Sequence, residues 1–365
     1  MRSLIAAAIS VVAVGAFGVN AQTVTLIQRN TQSLGVGSLV GQLSGLTWLG
    51  GNEWIVVADK RNGLLPLTVN FAPATGTTTT IVQGPKQTIG GVARDYEGIA
   101  FTGAARNTLL ISEEDTPAVR EFSFTTLTER SDSPLATPAV FLPPNLRGNL
   151  GFESLTYSQS SGSVFTANEE ALVSDGARAT PSQGTTVRIQ RYTPSGASFA
   201  PAGQWAYLVD PVHGTDAGVS GPVAQNGLSD LVVLDDGRLL ALERSVYYTS
   251  VLGQVYPNFQ SRIYLVTPNG SPASADTANP LAKTLLWQGS LGLSGNLEGL
   301  ALGPATANGR LVLGIVDNGD NNLLAANLVS FELTVVPEPA SMALISVLGV
   351  ALLRRQSRLV ARLEN

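Results

Sequence analysis

The chain has 365 residues, with 22 lysine and arginine residues against 27 aspartate and glutamate residues, no cysteine and one histidine. Without cysteine it can form no disulfide, thiolate metal site or cysteine nucleophile, and the single His213 excludes any site that needs two imidazoles. Its 38 glycines, 20 prolines and low content of charged residues (13%) are typical of a turn-rich β protein and argue against a coiled coil or a disordered chain.

The N-terminus is predicted to be a signal peptide. Arg2 gives a short basic region, residues 4–19 are apolar and small, and the chain then reaches a small-x-small pattern that ends at Ala21. A buried N-terminal helix is the weaker alternative, because the stretch lacks a cap and leads directly into a β-like run. We therefore predict that residues 1–21 are removed, that the mature chain begins at Gln22 and that the protein is exported.

The C-terminus carries a Pro-Glu-Pro motif at 337–339, an apolar run at 342–353 and a basic end that begins with Arg354. The run has 12 residues, fewer than the roughly 20 that cross a bilayer, so the residues alone leave open a marginal helix, an interfacial segment or a processed tail. The order of the three features closely resembles the PEP-CTERM sorting signal of exported Gram-negative proteins. That resemblance implies that residues 337–365 form a hydrophobic anchor helix, held transiently in the inner membrane and processed by an exosortase-type enzyme. It also implies release to the cell surface, with extracellular polysaccharide as a partner.

The segment between the two ends, 22–336, is acidic. It contains 17 basic and 25 acidic residues, and the whole chain has only three lysines. No basic run with interleaved aromatic residues is present, which argues against nucleic acid as a partner. Cations are therefore the expected ligands of this domain.

Five similar units recur along residues 22–336. Each begins with an acidic residue or serine, continues with a small residue or Asp and an aliphatic residue, and closes a second strand on an acidic residue. The units start between 53 and 76 residues apart, a period typical of β-propeller blades of four strands each. We predict an all-β propeller with five blades, although 170–226 could conceal a sixth. The units are Ser44 to Asp59, Glu97 to Glu113, Glu153 to Glu169, Ser229 to Glu243, and Glu298 to Asp317.

Two further expectations concern the outer strands of the blades. The fifth unit has one strand too few after its hairpin, so the leading strand 23–28 is expected to complete that blade and close the ring. In the second unit, the outer strands are expected at 118–124 and 139–142.

The geometry of a blade predicts that the acidic residues converge. The first strand runs along the central channel and the second returns antiparallel, so the start of one and the end of the other share one mouth. Their mutual repulsion must be relieved by raised pKa values, by arginines or by bound cations. Carboxylate oxygens without cysteine or paired histidine select Ca²⁺, or less readily Mg²⁺. The converging residues are Asp59, Glu97, Glu113, Glu153, Glu169, Asp230, Glu243, Glu298 and Asp317.

Basic residues flank the same units. Lys60, Arg61, Arg94 and Arg244 could bind an anionic phosphoester beside the metal, or they could pair with neighbouring acids and fasten the blades together. The sequence leaves both interpretations open. The absence of a Gly-x-Ser-x-Gly motif argues against a serine esterase of the usual kind, and the sequence around His213 favours a loop residue over a triad base.

Three segments of the units resemble a known family, the exported proteins described as having esterase-like activity of phytase. The resemblance covers residues 40–333 and implies a propeller whose repeated Glu and Asp residues are the active groups, with hydrolysis of phosphoesters or carboxylesters. Ser44 and Ser229 depart from it, because they stand where other units carry Glu. The segments are Asp95-Tyr96-Glu97-Gly98-Ile99-Ala100, residues 226–230 with 235–244, and Asn296-Leu297-Glu298-Gly299-Leu300-Ala301.

The function predicted from the sequence is metal-assisted hydrolysis of a small anionic ester, with Ca²⁺ as cofactor. The alternative is a calcium-binding surface or matrix protein without catalysis. In the first interpretation, the catalytic residues are Glu97, Glu169 and Glu298, the substrate-binding residues are Lys60, Arg94 and Arg244, and the metal ligands are Asp59, Glu113, Glu153, Asp230, Glu243 and Asp317.

Overall fold

The computed structural model describes residues 22–36, 42–59, 62–220, 223–292, 295–318 and 325–337. Residues 25–334 form one compact unit, and the described residues at the two ends, 22–24 and 335–337, belong to a second unit. The predicted signal peptide and nearly all of the predicted sorting signal lie outside the described residues. No helix in the described part of the chain has the length and apolar character needed to cross a membrane.

The described residues form five sheets of antiparallel strands, as the five units predicted. The strands before the third sheet are β1 (Gln22–Val36), β2 (Leu43–Gly50), β3 (Glu53–Ala58), β4 (Gly63–Ala72), β5 (Thr77–Gln83), β6 (Gln87–Thr88), β7 (Tyr96–Phe101), β8 (Thr108–Glu113) and β9 (Ala118–Ser123). The third and fourth sheets contain β10 (Phe152–Tyr157), β11 (Val164–Asn168), β12 (Thr185–Ser195), β13 (Ser198–Val209), β14 (Gln225–Val233), β15 (Leu239–Val251), β16 (Gln254–Val266) and β17 (Lys283–Gly289). The last three strands are β18 (Asn296–Ala305), β19 (Arg310–Asp317) and β20 (Ala325–Pro337), and two single-turn 3-10 helices lie at Ala139–Phe141 and Val173–Asp175.

The N-terminal strand closes the ring, which confirms the expectation for the fifth blade. The strand order of that sheet is β1-β20-β19-β18, so β1 is its outer strand. Arg29 forms a salt bridge with Glu332, and the backbone N–H of Asn30 donates to the Ser330 hydroxyl at 3.3 Å. In the described part of 170–226, the chain forms the outer strands of the third blade and the start of the fourth. The propeller therefore has five blades.

The outer part of the second blade differs from the expectation. Residues 139–142 were predicted to form a strand, but Ala139–Phe141 is a 3-10 helix that buries Phe141 against Phe152 at a ring distance of 4.9 Å. The edge of β9 is covered by the irregular segment 128–135 instead. In this segment the backbone N–H of Leu135 donates to the Val119 carbonyl at 2.9 Å.

The core lies between neighbouring blades. Short apolar runs that the sequence identified as buried strands, such as 239–242 and 311–316, are fully or almost fully buried. Side chains from adjacent blades share clusters; for example, Trp54 of the first blade and Leu313 of the fifth belong to one cluster. Burial of these apolar surfaces supplies the main driving force for folding.

The five inner strands, β2, β7, β10, β14 and β18, form a closed ring in which each contacts the next. Their backbones approach closely at the small residue of each unit. A Cβ atom added at Gly98 would lie 2.5 Å from the backbone nitrogen of Leu155, and one at Gly45 would lie 2.5 Å from the Glu97 carbonyl oxygen. The small residue is therefore required because the neighbouring strand occupies the space of a side chain.

A register shift lies at the start of every inner strand. In each hairpin the pairing between the first and second strands slips at the position of the acidic residue or serine. Such bulges redirect a side chain out of the regular alternation of a strand. The shifts occur at Leu43/Leu46, Tyr96/Ile99, Phe152/Ser154, Leu228/Asp230 and Leu297/Gly299.

Asp230 occupies the small-residue position of the fourth blade and connects three inner strands. Its Oδ1 accepts hydrogen bonds from the backbone N–H groups of Leu231 at 2.8 Å and Leu155 at 3.3 Å, and its Oδ2 accepts one from Leu300 at 2.6 Å. The side chain is 2% exposed. The carboxylate thus bonds to the backbones of β10, β14 and β18.

Burial raises the pKa of Asp230 to about 8. At about pH 9, where the carboxylate is ionised, we expect Asp230→Asn to lower the free energy of unfolding by about 1–3 kcal/mol, because the new NH₂ group would face a buried backbone N–H and leave it without an acceptor. Urea unfolding followed by circular dichroism measures this difference. Asp235→Asn is the control, because the Asp235 side chain is 77% exposed and its replacement should change stability little. Equal stabilities of the two variants would contradict the connecting role of Asp230.

Candidate functional site

An acidic cavity of about 270 Å³ lies where the inner strands begin. Its wall is formed by residues at the starts of inner strands, at the ends of second strands and in the loop before β10. Among the described residues that line the cavity, one is basic, Arg244. The seven lining carboxyl residues are Asp59, Glu97, Glu114, Glu153, Glu169, Glu298 and Asp317, and the other lining residues are Gln42, Ser44, Asn149, Leu150 and Gln225.

Six of the nine acidic residues expected at one mouth line this cavity. They are Asp59, Glu97, Glu153, Glu169, Glu298 and Asp317. The other three, Glu113, Asp230 and Glu243, contact different groups. Of the predicted substrate-binding residues, Arg244 lines the cavity, Arg94 does not, and Lys60 lies outside the described residues together with Arg61.

Glu113 faces two arginines instead of the cavity. Its carboxylate forms salt bridges with Arg94 at 2.9 Å and with Arg120 at 2.6 Å. The next residue, Glu114, lines the cavity and was not predicted. Successive side chains of a strand point to opposite faces. An error of one residue in the alignment of the units therefore assigns the cavity position to Glu113 instead of Glu114. The only sign in the sequence that Glu114 could take this position was that it directly follows Glu113.

The fourth blade shows the same shift. The buried Glu243 accepts hydrogen bonds from the Tyr207 hydroxyl at 2.7 Å and the Asp210 backbone N–H at 3.0 Å, and it pairs with Lys283 at 2.5 Å. Tyr207 and Asp210 lie on and just after β13 of the third blade, and Lys283 begins the outermost strand of the fourth. The following residue, Arg244, reaches the cavity, so this blade contributes a guanidinium where others contribute a carboxylate.

Arg244 connects carboxylates from two blades. Its guanidinium contacts Glu169 at 2.6 Å and Glu298 at 2.9 Å, and it also donates to the Asn296 side-chain oxygen at 3.0 Å. The Arg244 side chain is 11% exposed. Burial of such a charge is costly unless it is paired, and here two carboxylates provide the pairing.

Crowding of carboxylates changes their acidity. Burial, followed by repulsion from Asp59, Glu114 and Glu298, raises the pKa of Glu97 well above its usual range. Burial and the neighbouring carboxylates likewise raise the pKa of Glu153. Burial raises the pKa of Glu298 to about 7, although Arg244 acts in the opposite direction. These carboxyls therefore retain protons unless a cation replaces them.

The carboxylates include groups that suit a hard cation. Oxygens of Asp59, Asp95 and Glu97 lie within 4.8 Å of one another, and so do oxygens of Glu97, Glu114 and Glu153. Glu153 is 7% exposed, and its Oε2 is buried without a hydrogen-bond partner. A donor set made only of oxygen fits Ca²⁺ or Mg²⁺ rather than zinc or copper. Asp95 was not among the predicted ligands.

His213 takes no part in the cavity. Its Nδ1 lies 2.7 Å from the Ser245 hydroxyl oxygen, and its ring packs against Tyr247 at 4.9 Å. Ser245 is fully buried, and neither residue lines the cavity. The contact therefore packs a loop and offers no accessible nucleophile.

In the absence of divalent cations, we expect the free energy of unfolding to fall as the pH rises from about 5 to about 9. The pKa values of Glu298 (about 7) and Asp230 (about 8) in the folded protein lie above those of ordinary carboxyls, so the folded state binds more protons in this range. Stability from such groups is present at low pH and is lost as the pH passes the raised pKa. Urea unfolding in EDTA at several pH values measures the slope.

Glu298→Gln should make this slope shallower, because the glutamine does not titrate. A stability that increases with pH over the same range would contradict the assignment of raised pKa values.

Several solved structures are similar to this chain at low identity. The PQQ-bound aldose sugar dehydrogenase of Streptomyces coelicolor is 13% identical, covers 86% of this chain and 99% of its own, and has a TM-score of 0.41. The apo aldose sugar dehydrogenase of Escherichia coli is 12% identical, with coverages of 87% and 100% and a TM-score of 0.39. A streptogramin B lyase is 9% identical, with coverages of 84% and 98% and a TM-score of 0.37. Similarity at this level carries no information about activity.

The search of curated proteins gives no match. The sequence model of one family does match, and it covers residues 38–323, which include all five inner hairpins. This family is described as Phytase-like, with esterase-like activity of phytase. The chain belongs to this Phytase-like family of propellers.

Proposed function

We propose that the protein hydrolyses small anionic phosphoesters at the acidic cavity, with Ca²⁺ as its cofactor. The observation that carries this proposal is the concentration of seven carboxyl residues in one cavity together with Arg244. Membership of the Phytase-like family supports the same class of reaction.

Electrostatics explain why a cation is part of the proposal. A phosphate group brought near several carboxylates is repelled, and in a partly buried site that repulsion is screened less than in water. Bound Ca²⁺ would supply the positive charge that attracts the phosphate and makes a bound water more acidic. Asp59, Glu97 and Glu153 are residues that would hold it.

Glu298 is the residue best suited to move a proton. Its pKa of about 7 lets the carboxyl take up or release a proton near neutral pH, which is the property required of a general acid or base. Arg244 contacts Glu298 and Glu169 and holds both carboxylates in place. In this proposal, Glu298 accepts a proton from the attacking water, and Arg244 positions it.

One observation favours the second candidate, a calcium-binding surface protein without catalysis. The guanidinium of Arg244 already contacts Glu169, Glu298 and Asn296. Arg94 is likewise paired with Glu113. Both arginines predicted to bind substrate are thus engaged by protein groups in the structure, as expected if they fasten the blades.

Export is part of the proposal as well. Residues 1–21 and 337–365 support secretion, transient anchoring in the inner membrane and release by an exosortase-type enzyme. In this setting the acidic domain would meet extracellular calcium and polysaccharide.

The two candidates are separated by assaying the purified protein with phytate and p-nitrophenyl phosphate, with Ca²⁺ or with EDTA. We expect turnover only with Ca²⁺, and Glu298→Gln should lower kcat/KM by at least about 100-fold, because a general base contributes 10²–10⁴. Glu53→Gln, on the exposed start of β3, is the matched control and should retain activity.

No turnover with either substrate under any metal condition would reject the hydrolase. A rise in melting temperature on addition of Ca²⁺, without turnover, would instead support the binding protein, because a ligand of the native state raises stability by mass action.

A further inference from the structure

We infer that the acidic cavity binds two divalent cations, one at Asp59, Asp95 and Glu97 and the other at Glu97, Glu114 and Glu153, with Glu97 shared between them. The inference rests on the cation binding in the proposed function, but it adds the number of ions and two ligands, Asp95 and Glu114. Neither residue was identified by the repeat pattern.

The distances fit one ion for each group. Oxygen ligands lie 2.3–2.6 Å from Ca²⁺, so two oxygens on the same ion are at most about 5 Å apart. Within each of the two groups, the carboxylate oxygens lie within 4.8 Å of one another. The five residues form two such groups, which have only Glu97 in common.

Glu153 provides an independent indication of a ligand in the second group. Its carboxylate is more than nine-tenths buried, lines the cavity and has one oxygen, Oε2, without a hydrogen-bond partner. A buried carboxylate oxygen is costly unless another group compensates it. A cation at Glu97, Glu114 and Glu153 would compensate it directly.

The backbone explains why carboxylates of two blades come so close. Glu97 and Glu153 occupy equivalent bulged positions on β7 and β10. The next residue of β7, Gly98, brings the strands into contact, since a Cβ there would lie 2.5 Å from the Leu155 nitrogen. This close approach places the two carboxylates side by side.

A backbone contact also positions the remaining ligands. The N–H of Glu114 donates to the carbonyl of Asp95 at 3.0 Å, so the residue after β8 and the residue before β7 are held together. Asp59 approaches from the end of β3 in the first blade, where its N–H donates to the Gln42 carbonyl at 2.8 Å. Rigid strand ends thus carry all five carboxylates, as preorganised metal sites require.

The test is the number of ions bound. Full-length protein is stripped with EDTA, exchanged into metal-free buffer and titrated with CaCl₂ by calorimetry, with metal analysis of the dialysed protein as a second measurement. We expect two ions per chain for the unmodified protein. Asp95→Asn and Glu114→Gln should each retain one ion, the double variant should retain none, and Glu97→Gln should weaken both sites by at least about tenfold. Glu53→Gln should retain two.

A stoichiometry of zero or one ion for the unmodified protein would overturn the inference, and this result does not depend on any variant folding. An unchanged stoichiometry of two in both folded single variants, checked by circular dichroism, would also overturn it. Hydrolysis is judged separately. Two bound ions without turnover would support this inference and reject the hydrolase. Turnover with a single bound ion would reject this inference and support the hydrolase.

Discussion

The contact between neighbouring inner strands is the constraint on which the cavity depends. Five strands surround one narrow channel, and at Gly45, Gly98 and Gly299 the next backbone occupies the space where a side chain would begin. A bulge at each of these points redirects the preceding residue. The carboxylates are crowded because the strands that carry them cannot move apart without breaking the ring.

The protein relieves this crowding in three different ways. Glu113 is neutralised by Arg94 and Arg120, and Asp230 is held by backbone N–H groups. Glu97 and Glu153 have neither solution in the structure described, and their pKa values rise because burial and repulsion disfavour the charged form. Burial also raises the pKa of Asp230, to about 8, so raised pKa values are not confined to the acids that face the cavity.

The acidic residues of the cavity fall into two groups with different chemistry. In the first group, Glu169 and Glu298 share the guanidinium of Arg244, and burial raises the pKa of Glu298 to about 7. The second group consists of the carboxylates whose oxygens cluster around Glu97. The proposed hydrolase would use both groups, with Glu298 as the proton-transferring carboxyl, whereas a protein that only binds calcium would use the second group alone.

The five units, the closing N-terminal strand and the convergence of six acidic residues were predictable from the sequence, because they follow from spacing and from the antiparallel course of each hairpin. The family was recognisable from the resemblance of three short segments. The sequence could not distinguish Glu113 from Glu114, or Glu243 from Arg244, since successive strand residues face opposite sides and a bulge changes the count by one. It also could not show that Asp230 bonds to three backbones. Those outcomes depend on which groups of neighbouring blades lie opposite each side chain, and only the closed ring brings them together.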